Sequence, residues 1–372
     1  MCGDYSTIMF LCQVNNSTGQ WGASLGNSLN NVAVINESSN LLLTVTHEGN
    51  TLRGIKATGG NVVLAADTVV TGQRSISVGS GKQVQVNDGK TLTYDAFKYV
   101  GTTITSSKTE GISLYDGTTT VSGGTLTQTE NHNTTDAKEV GAKLENVKFI
   151  SESGMRTVLT NTANSYTGLS VAGELRLADT NVTVSEVVLS GGSLTVGSSK
   201  TLTANSLKLA TASGSVLSGN LTLADSAGLV VNVDGITADT STAVCTLSGA
   251  LTLGSGLTLT LENLGTFKTG DEITLFSGVS GVTYTPRSTD ETEIAMLSGD
   301  TTKPLDATGV DASQIFSNVD PGYFKLTYTG TADGNKGIVA LVAQRAVPEP
   351  TTATLSLLAL MGLAARRRRR KA

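Results

Sequence analysis

Short runs in which apolar and polar residues alternate, each introduced by glycine, recur along this chain of 372 residues. Residues 123–127 and 191–195 share the pattern Gly-Gly-X-Leu-Thr, and looser versions occupy 173–177, 219–223 and 249–253. Alternation places successive side chains on opposite faces of a strand, and glycine accepts the backbone conformations of a sharp corner. The pattern therefore predicts many short strands that turn at glycine corners.

Strands that recur at intervals of about 20 to 30 residues are typical of solenoids. Aromatic residues make up only 4% of the chain, which suits a narrow interior filled by aliphatic side chains. We predict an all-β fold in which residues 32–263 form a right-handed parallel β-helix. An antiparallel sandwich uses the same short alternating strands and stays open as the alternative.

Residues 164–175, which read Asn-Ser-Tyr-Thr-Gly-Leu-Ser-Val-Ala-Gly-Glu-Leu, resemble the autotransporter-associated β-strand repeat, and so do residues 117–126. The family pattern is Tyr-Thr-Gly-Gly-Thr-Thr, a turn, and Gly-Gly-Thr-Leu. Here Leu169 replaces the second glycine and Glu174 replaces a threonine. The resemblance implies a surface-exposed, passenger-like β-helix without enzyme activity.

The regions on either side of the predicted solenoid differ in composition. Residues 1–31 are rich in Asn, Ser and Gly, and we expect this segment to be poorly ordered. Residues 264–345 introduce aromatic residues and a hairpin-like Asp333-Gly334-Asn335 turn. We predict that 264–345 form a small antiparallel C-terminal β cap, which would shield the open end of the solenoid.

The last residues, 346–372, combine three kinds of segment in a fixed order. Val347, Pro348, Glu349 and Pro350 come first, and two prolines around one residue keep the backbone extended. Residues 351–365 are an uncharged, leucine-rich run, about 22 Å long as a helix. The chain then ends in a basic cluster and one alanine; the cluster is Arg366, Arg367, Arg368, Arg369, Arg370 and Lys371.

This order predicts a single transmembrane helix with a cytoplasmic stop, because clustered cations resist translocation. The run is shorter than the hydrocarbon core of about 30 Å, and bilayer thinning or snorkelling arginines would make up the difference. A core or amphipathic helix with a basic tag is the alternative.

The tail resembles the PEP-CTERM sorting signal of Gram-negative bacteria. The resemblance rests on Val347, Pro348, Glu349 and Pro350, on the leucine-rich run and on the terminal arginines. It implies recognition and cleavage by an exosortase, a membrane transpeptidase-like enzyme whose catalytic cysteine lies in the exosortase itself. It also implies transient anchoring in the cytoplasmic membrane and delivery to the cell surface or extracellular matrix.

The other end of the chain does not show the leader that an exported protein needs. Residues 1–20 contain no Lys or Arg and only a short apolar patch. A lipoprotein signal ending at Cys12 is also disfavoured, because bulky Leu11 precedes it. The simplest explanations are a start site placed too far downstream or a fragment, and an in-frame signal peptide upstream of Met1 would establish export.

Composition and motifs argue against most classes of catalysis. The net charge is −5 and the basic residues cluster only at the end, so the body offers no nucleic-acid footprint. His47 and His132 lie far apart in sequence, and no HExxH, P-loop or paired-cysteine motif occurs. The scattered cysteines, Cys2, Cys12 and Cys245, form no disulfide framework, and we expect Cys245 to be buried.

The acidic residues are best explained as turn residues. Asp88, Asp116 and Asp234 each precede glycine, as in tight turns. The adjacent pairs 271–272 and 290–291 would point to opposite faces of a strand. We predict a non-enzymatic structural or adhesive surface protein without cofactor or metal, whose partners are the exosortase, the membrane and extracellular glycans or matrix. A β-helical polysaccharide lyase or glycoside hydrolase is the alternative, and stacked carboxylates in a catalytic or calcium site would favour it.

Overall fold

The computed structural model describes residues 13–15, 21–25, 33–37, 39, 41–71, 76–94, 96–106, 114–130, 137–236, 242–264, 268–287, 302–330 and 337–345. These residues form an all-β solenoid fold with about nine turns in total. Within them, the only helical segment is a 3-10 turn at Ala312–Gln314. The predicted all-β solenoid is therefore confirmed.

The strands are short and follow one another closely along the chain. In the first part they are β1 Gln13–Asn15, β2 Trp21–Leu25, β3 Ala33–Ile35, β4 Leu41–Val45, β5 Asn50–Leu52, β6 Gly54–Ala57, β7 Val62–Leu64, β8 Thr68–Val70, β9 Ile76–Val78, β10 Gln83–Val86, β11 Thr91–Tyr94, β12 Phe97–Val100, β13 Thr103–Ser106, β14 Thr119–Ser122, β15 Thr125–Gln128, β16 Lys138–Val140, β17 Lys143–Glu145 and β18 Val147–Ser151. They continue with β19 Arg156–Leu159, β20 Tyr166–Val171, β21 Glu174–Arg176, β22 Val182–Val184, β23 Glu186–Leu189, β24 Ser193–Thr195, β25 Thr201–Leu209, β26 Ser215–Ser218, β27 Asn220–Asn232, β28 Cys245–Ser248, β29 Ala250–Leu253, β30 Thr258–Glu262, β31 Glu272–Val279, β32 Gly281–Tyr284, β33 Lys303–Pro304, β34 Val310–Asp311, β35 Phe324–Thr329 and β36 Gly337–Ala343.

The chain divides into two compact units. Unit 1 comprises Met1–Ser185 and Gly192–Gly197, and unit 2 comprises Glu186–Gly191 and Ser198–Ala372. The predicted domain boundaries at residues 31, 263 and 345 are not tested by this division and stay predictions.

In unit 1, each early coil contributes one strand to each of three parallel stacks. The stacks are β4-β7-β10, β5-β8-β11 and β3-β6-β9. Leu43, Val62 and Val84 lie in register in the first stack and are buried, as the alternating pattern predicts. Removal of such aliphatic side chains from water stabilises the stack by about 25 cal/mol per Å² of apolar area.

One coil of unit 1 runs backwards, which the sequence analysis did not predict. Strand β12 is antiparallel to both β11 and β15, and β13 is antiparallel to both β10 and β14. Parallel pairing resumes where β14 meets β17 and β15 meets β18. The prediction of a purely parallel β-helix is therefore wrong at this coil. Antiparallel neighbours need only a short hairpin, whereas parallel neighbours need a longer crossover.

An aromatic side chain fixes the reversed coil to the next one. Tyr99 of β12 is fully buried, and its hydroxyl donates to the Ser122 carbonyl oxygen and lies 3.1 Å from that of Gly123. A Cβ at Gly101 would lie 2.2 Å from the Tyr99 ring, so this corner needs glycine. The interior of unit 1 is therefore not purely aliphatic, since Phe97, Tyr99 and Phe149 are among its largest fully buried side chains.

Unit 2 is built on two long strands, each of which serves two stacks. Strands β25 and β27 pair in parallel along most of their length, with a shift of register between Ala204 and Ser206. Strand β27 then pairs with β29 through one half and with β30 through the other. A separate stack contains β26, β28 and β31.

Parallel pairing in unit 2 continues past residue 264, through β31 and β32. Beyond them the pairing is antiparallel: β36 lies on β31, β35 on β36, β34 on β35, and β33 on β32. Antiparallel strands are therefore present in the region where the sequence predicted them, and they begin after β32.

The predicted glycine corners stand directly before strands, in contact with the backbone of the preceding coil. Gly249 precedes β29, and a Cβ on it would lie 2.1 Å from the Gly219 carbonyl oxygen. Gly219 itself precedes β27 and belongs to the same repeated pattern. Two consecutive repeats therefore stack glycine on glycine.

We expect Gly249→Ala to destabilise unit 2 by about 1–3 kcal/mol, because the added methyl group must displace the Gly219 backbone. A lower urea midpoint in equilibrium unfolding measures the loss. Gly281→Ala is the matched control, since nothing lies within 4 Å of a Cβ at Gly281. Equal midpoints for the two variants would contradict the steric explanation.

Candidate functional site

Threonines line the outer face of one parallel stack in unit 2. Thr203 of β25 is in register with Thr222 of β27, Thr222 with Thr252 of β29, and Thr252 with Thr283 of β32. Each threonine is half-buried. It points outward, because the leucine or valine before it is buried and successive side chains of a strand point to opposite faces. The Thr283 hydroxyl lies 3.3 Å from the Thr252 hydroxyl, to which it donates a hydrogen bond. We call these residues the threonine row.

The threonine row repeats its hydroxyls at about the strand spacing of 4.8 Å. Each hydroxyl donates one hydrogen bond and accepts others, and none carries charge at neutral pH. Such a row can contact a polymer with regularly spaced hydroxyl groups. It provides no acid, base or activated nucleophile.

An ion pair lies on the other stack that β25 and β27 form. Lys208 of β25 extends across β27 to β30, where its Nζ lies 2.8 Å from the Glu262 Oε1. Both side chains are more than a third exposed, at 37% and 36%. Solvent screening at that exposure leaves such a pair little effect on stability.

Several carboxylates at the corners accept backbone N–H groups from the next coil. The Glu48 Oε2 accepts from Asp67 N at 2.9 Å, and the Asp67 Oδ1 accepts from Thr91 N at 2.8 Å. A hydrogen bond from Lys90 lowers the pKa of Glu48 from its usual value. In unit 2, the Asp225 Oδ1 accepts from Ser255 N at 2.7 Å. These acidic groups connect coils and do not converge on a shared pocket.

The aspartates that precede glycine lie in turns, as predicted. Asp88 and Asp234 are exposed and are followed by Gly89 and Gly235, each with a φ of 71°. The Asp116 Oδ1 accepts from the backbone N–H of Thr118, two residues ahead.

The predicted adjacent carboxylate pairs are only partly within the described residues. The Asp271 Oδ2 closes a turn by accepting from Lys268 N at 2.7 Å, and its neighbour Glu272 is exposed on β31. Residues 290–291 lie outside the described residues. Across the described ranges, no group of three or more His, Cys, Asp or Glu side chains is placed to hold a metal ion.

The remaining singled-out residues are not brought together. His47 is half-buried just after β4, whereas His132, Cys2 and Cys12 lie outside the described residues. Cys245 is buried in β28, as predicted, and burial raises the pKa of its thiol to about 12.

The stretch that resembles an autotransporter-associated repeat forms a corner followed by β20. The Asn164 Oδ1 accepts from Leu144 N at 2.8 Å, and its amide donates to the Tyr166 hydroxyl at 3.0 Å. The next residue, Ser165, accepts from Asn146 N. These residues join neighbouring coils, which is a structural role. The family resemblance itself stays a prediction.

A contact at the end of β36 was not predicted from the sequence. Gln344 N donates to the Tyr323 carbonyl oxygen at 2.8 Å, and the Arg345 guanidinium lies 5.7 Å from the centre of the Tyr323 ring. An arginine over an aromatic face is a cation–π contact. The sequence shows that an arginine precedes the predicted sorting motif. It does not show which aromatic ring the arginine contacts, because Tyr323 lies 22 residues upstream in a turn.

The predicted sorting residues all lie outside the described residues; they are Val347, Pro348, Glu349, Pro350, Arg366, Arg367, Arg368, Arg369, Arg370 and Lys371. The predicted transmembrane helix falls in the same segment. Within the part of the chain that the structure describes, no helix has the length and apolar character needed to cross a bilayer.

In a Cys2→Ser, Cys12→Ser background, we expect Cys245 to resist a thiol-specific reagent at pH 8 in the native state. The thiolate is the reactive form, and a pKa of about 12 leaves almost none of it at that pH. Absorbance of the released chromophore measures labelling, and the same variant in concentrated urea should label fully. Fast labelling without urea would show that β28 is not buried.

Comparison with known proteins places one recognised signal in the tail. Residues 346–370 match the family model for the PEP-CTERM protein-sorting motif. No curated protein and no solved structure matches the chain. The match covers only the tail, so it does not assign the solenoid to a family. In its C-terminal segment the chain is similar to proteins that carry this motif, which suggests an exported protein that an exosortase sorts at the membrane.

Proposed function

We propose that this chain is an exported bacterial protein of the cell surface or extracellular matrix, with a non-enzymatic, structural or adhesive role. The observation that carries the proposal is the PEP-CTERM protein-sorting motif at residues 346–370. An exosortase would recognise Val347, Pro348, Glu349 and Pro350 and cleave the chain near them. The all-β solenoid fits such a role, because stacked coils repeat side chains at regular intervals on their outer faces.

The tail would hold the chain in the cytoplasmic membrane until it is processed. Residues 351–365 are uncharged and rich in leucine, as a membrane-spanning helix requires. The basic cluster from Arg366 to Lys371 would stay on the cytoplasmic side. The body of the protein would then lie on the opposite side of the membrane.

The described body supports a binding surface more than a catalytic one. The threonine row presents regularly spaced hydroxyls, which suit extracellular glycans or neighbouring matrix chains. Corner carboxylates such as Glu48, Asp67 and Asp225 already accept backbone N–H groups. A glycosidase or lyase would instead need carboxylates that converge on the substrate.

The antiparallel strands of unit 2 would cap the last coil. Strand β33 pairs with β32, and Ser317 N donates to the Leu257 carbonyl oxygen. The side-chain amide of Asn318 accepts from Leu259 N at 2.9 Å and donates to the Leu259 carbonyl oxygen at 2.8 Å. These contacts cover strand edges that would otherwise be free to pair with other chains.

A Pro348→Ala, Pro350→Ala double variant should abolish processing in a host that carries an exosortase, because it removes the stiff, extended motif. The uncleaved chain should accumulate in the membrane fraction, as immunoblotting with mass analysis would show. Pro304→Ala, at an exposed position of β33 in unit 2, is the matched control. Wild-type processing of the double variant would refute sorting through this motif.

A Thr222→Val, Thr252→Val double variant should weaken binding to polysaccharide from the producing cell's matrix by on the order of tenfold. Valine keeps the branched shape and removes two hydroxyls, each of which supports about 1 kcal/mol of hydrogen bonding. Binding is measured by co-sedimentation, with thermal unfolding as a check on the fold.

Thr258→Val with Thr260→Val, on β30, is the control for the threonine row. Equal binding by both double variants would exclude the threonine row as the contact surface. Release of soluble oligosaccharides by the wild-type chain would instead support the carbohydrate-active enzyme.

A further inference from the structure

The folded body holds the residues that directly precede the sorting motif. Gln344 and Arg345 follow β36, and both contact Tyr323, through the 2.8 Å backbone hydrogen bond and the cation–π contact. We call Tyr323, Gln344 and Arg345 the exit latch. Tyr323 itself stands at the end of a turn that is fixed by a hydrogen bond from Gly322 N to the Asp311 Oδ2 at 2.7 Å.

The exit latch leaves almost no free chain before the motif. Ala346 alone separates Arg345 from Val347. A polypeptide extends by at most about 3.6 Å per residue, so the motif begins within about 7 Å of the latch. An enzyme that takes an extended segment into its active site must surround that segment, and a folded body so close to it would obstruct the approach.

We infer that the exit latch restrains processing, so that Gln344 and Arg345 must detach from Tyr323 before the motif enters the exosortase. This inference rests on the proposed function. Tyr323 and Arg345 would be positioning residues, because neither contacts the reacting bond. Detachment is local, since Gln344 and Arg345 are exposed and lie beyond the end of β36.

The free energy of the cation–π contact is small, so chains detach spontaneously, yet its loss should change the processing rate measurably. An exposed cation–π contact corresponds to about a two- to five-fold change in the fraction of detached chains. Arg345→Ala should therefore speed processing by about two- to five-fold. A spacer of ten Gly and Ser residues between Arg345 and Ala346 should speed it at least as much, because it leaves the latch intact but moves the motif away from the body.

The experiment follows conversion of the full-length chain by pulse-chase, behind a secretory leader, in a host with an exosortase. Lys268→Ala is the control for Arg345→Ala, since it removes another exposed cation of unit 2. The same spacer inserted between Asp88 and Gly89, in an exposed turn of unit 1, controls for added length. Thermal unfolding of each variant confirms that the body is intact.

Faster conversion of both the Arg345→Ala chain and the Arg345–Ala346 spacer chain, relative to their controls, supports the exit latch. Rates equal to or below those of the controls overturn it while leaving sorting in place. If the wild-type chain and the Pro348→Ala, Pro350→Ala variant both stay unprocessed, the proposed function fails and the exit latch fails with it.

Discussion

Successive coils of this fold stack at the spacing of a single β-strand, so each corner brings backbone close to backbone. Gly59 shows the tightest requirement in unit 1, because a Cβ there would lie 1.7 Å from the Glu37 carbonyl oxygen. Gly249 meets the same limit in unit 2. The register of every buried column depends on these approaches, since a displaced corner would shift the strand after it.

At other corners a polar side chain connects neighbouring coils by a hydrogen bond. Asn164, Asp67 and Asp225 each accept a backbone N–H of a neighbouring coil. Carboxylates in general can serve calcium binding or glycoside hydrolysis. In this chain the described examples are engaged in holding coils together, which leaves the hydroxyls of the threonine row as the regular chemistry of the outer face.

Alternation and glycine spacing were enough to predict strands, burial and corners, because those properties are local. Strand direction was not predictable, since an alternating segment such as Thr103–Ser106 looks the same in a parallel or an antiparallel neighbour. The reversal between Tyr94 and Phe97 also lacks the Asn-Gly or Asp-Gly pair that marks a tight hairpin. The outward direction of Thr222 could be predicted from the alternating pattern of its strand. Its alignment with Thr252 could not be predicted, because that alignment depends on the length of the loop between the two strands. The sorting residues were recognised from their resemblance to a known signal, with which they share the order of proline motif, apolar run and basic cluster.

The reversed coil gives unit 1 a second way to advance along its axis. An ordinary coil returns to its starting wall through a third strand, as β9 does between β8 and β10. Strands β12 and β13 instead pair antiparallel on the two existing walls, and β14 and β15 then continue those walls in the original direction. The walls of unit 1 can therefore lengthen by whole three-strand turns, or by an antiparallel pair that extends two walls and leaves the direction of the next strands on those walls unchanged.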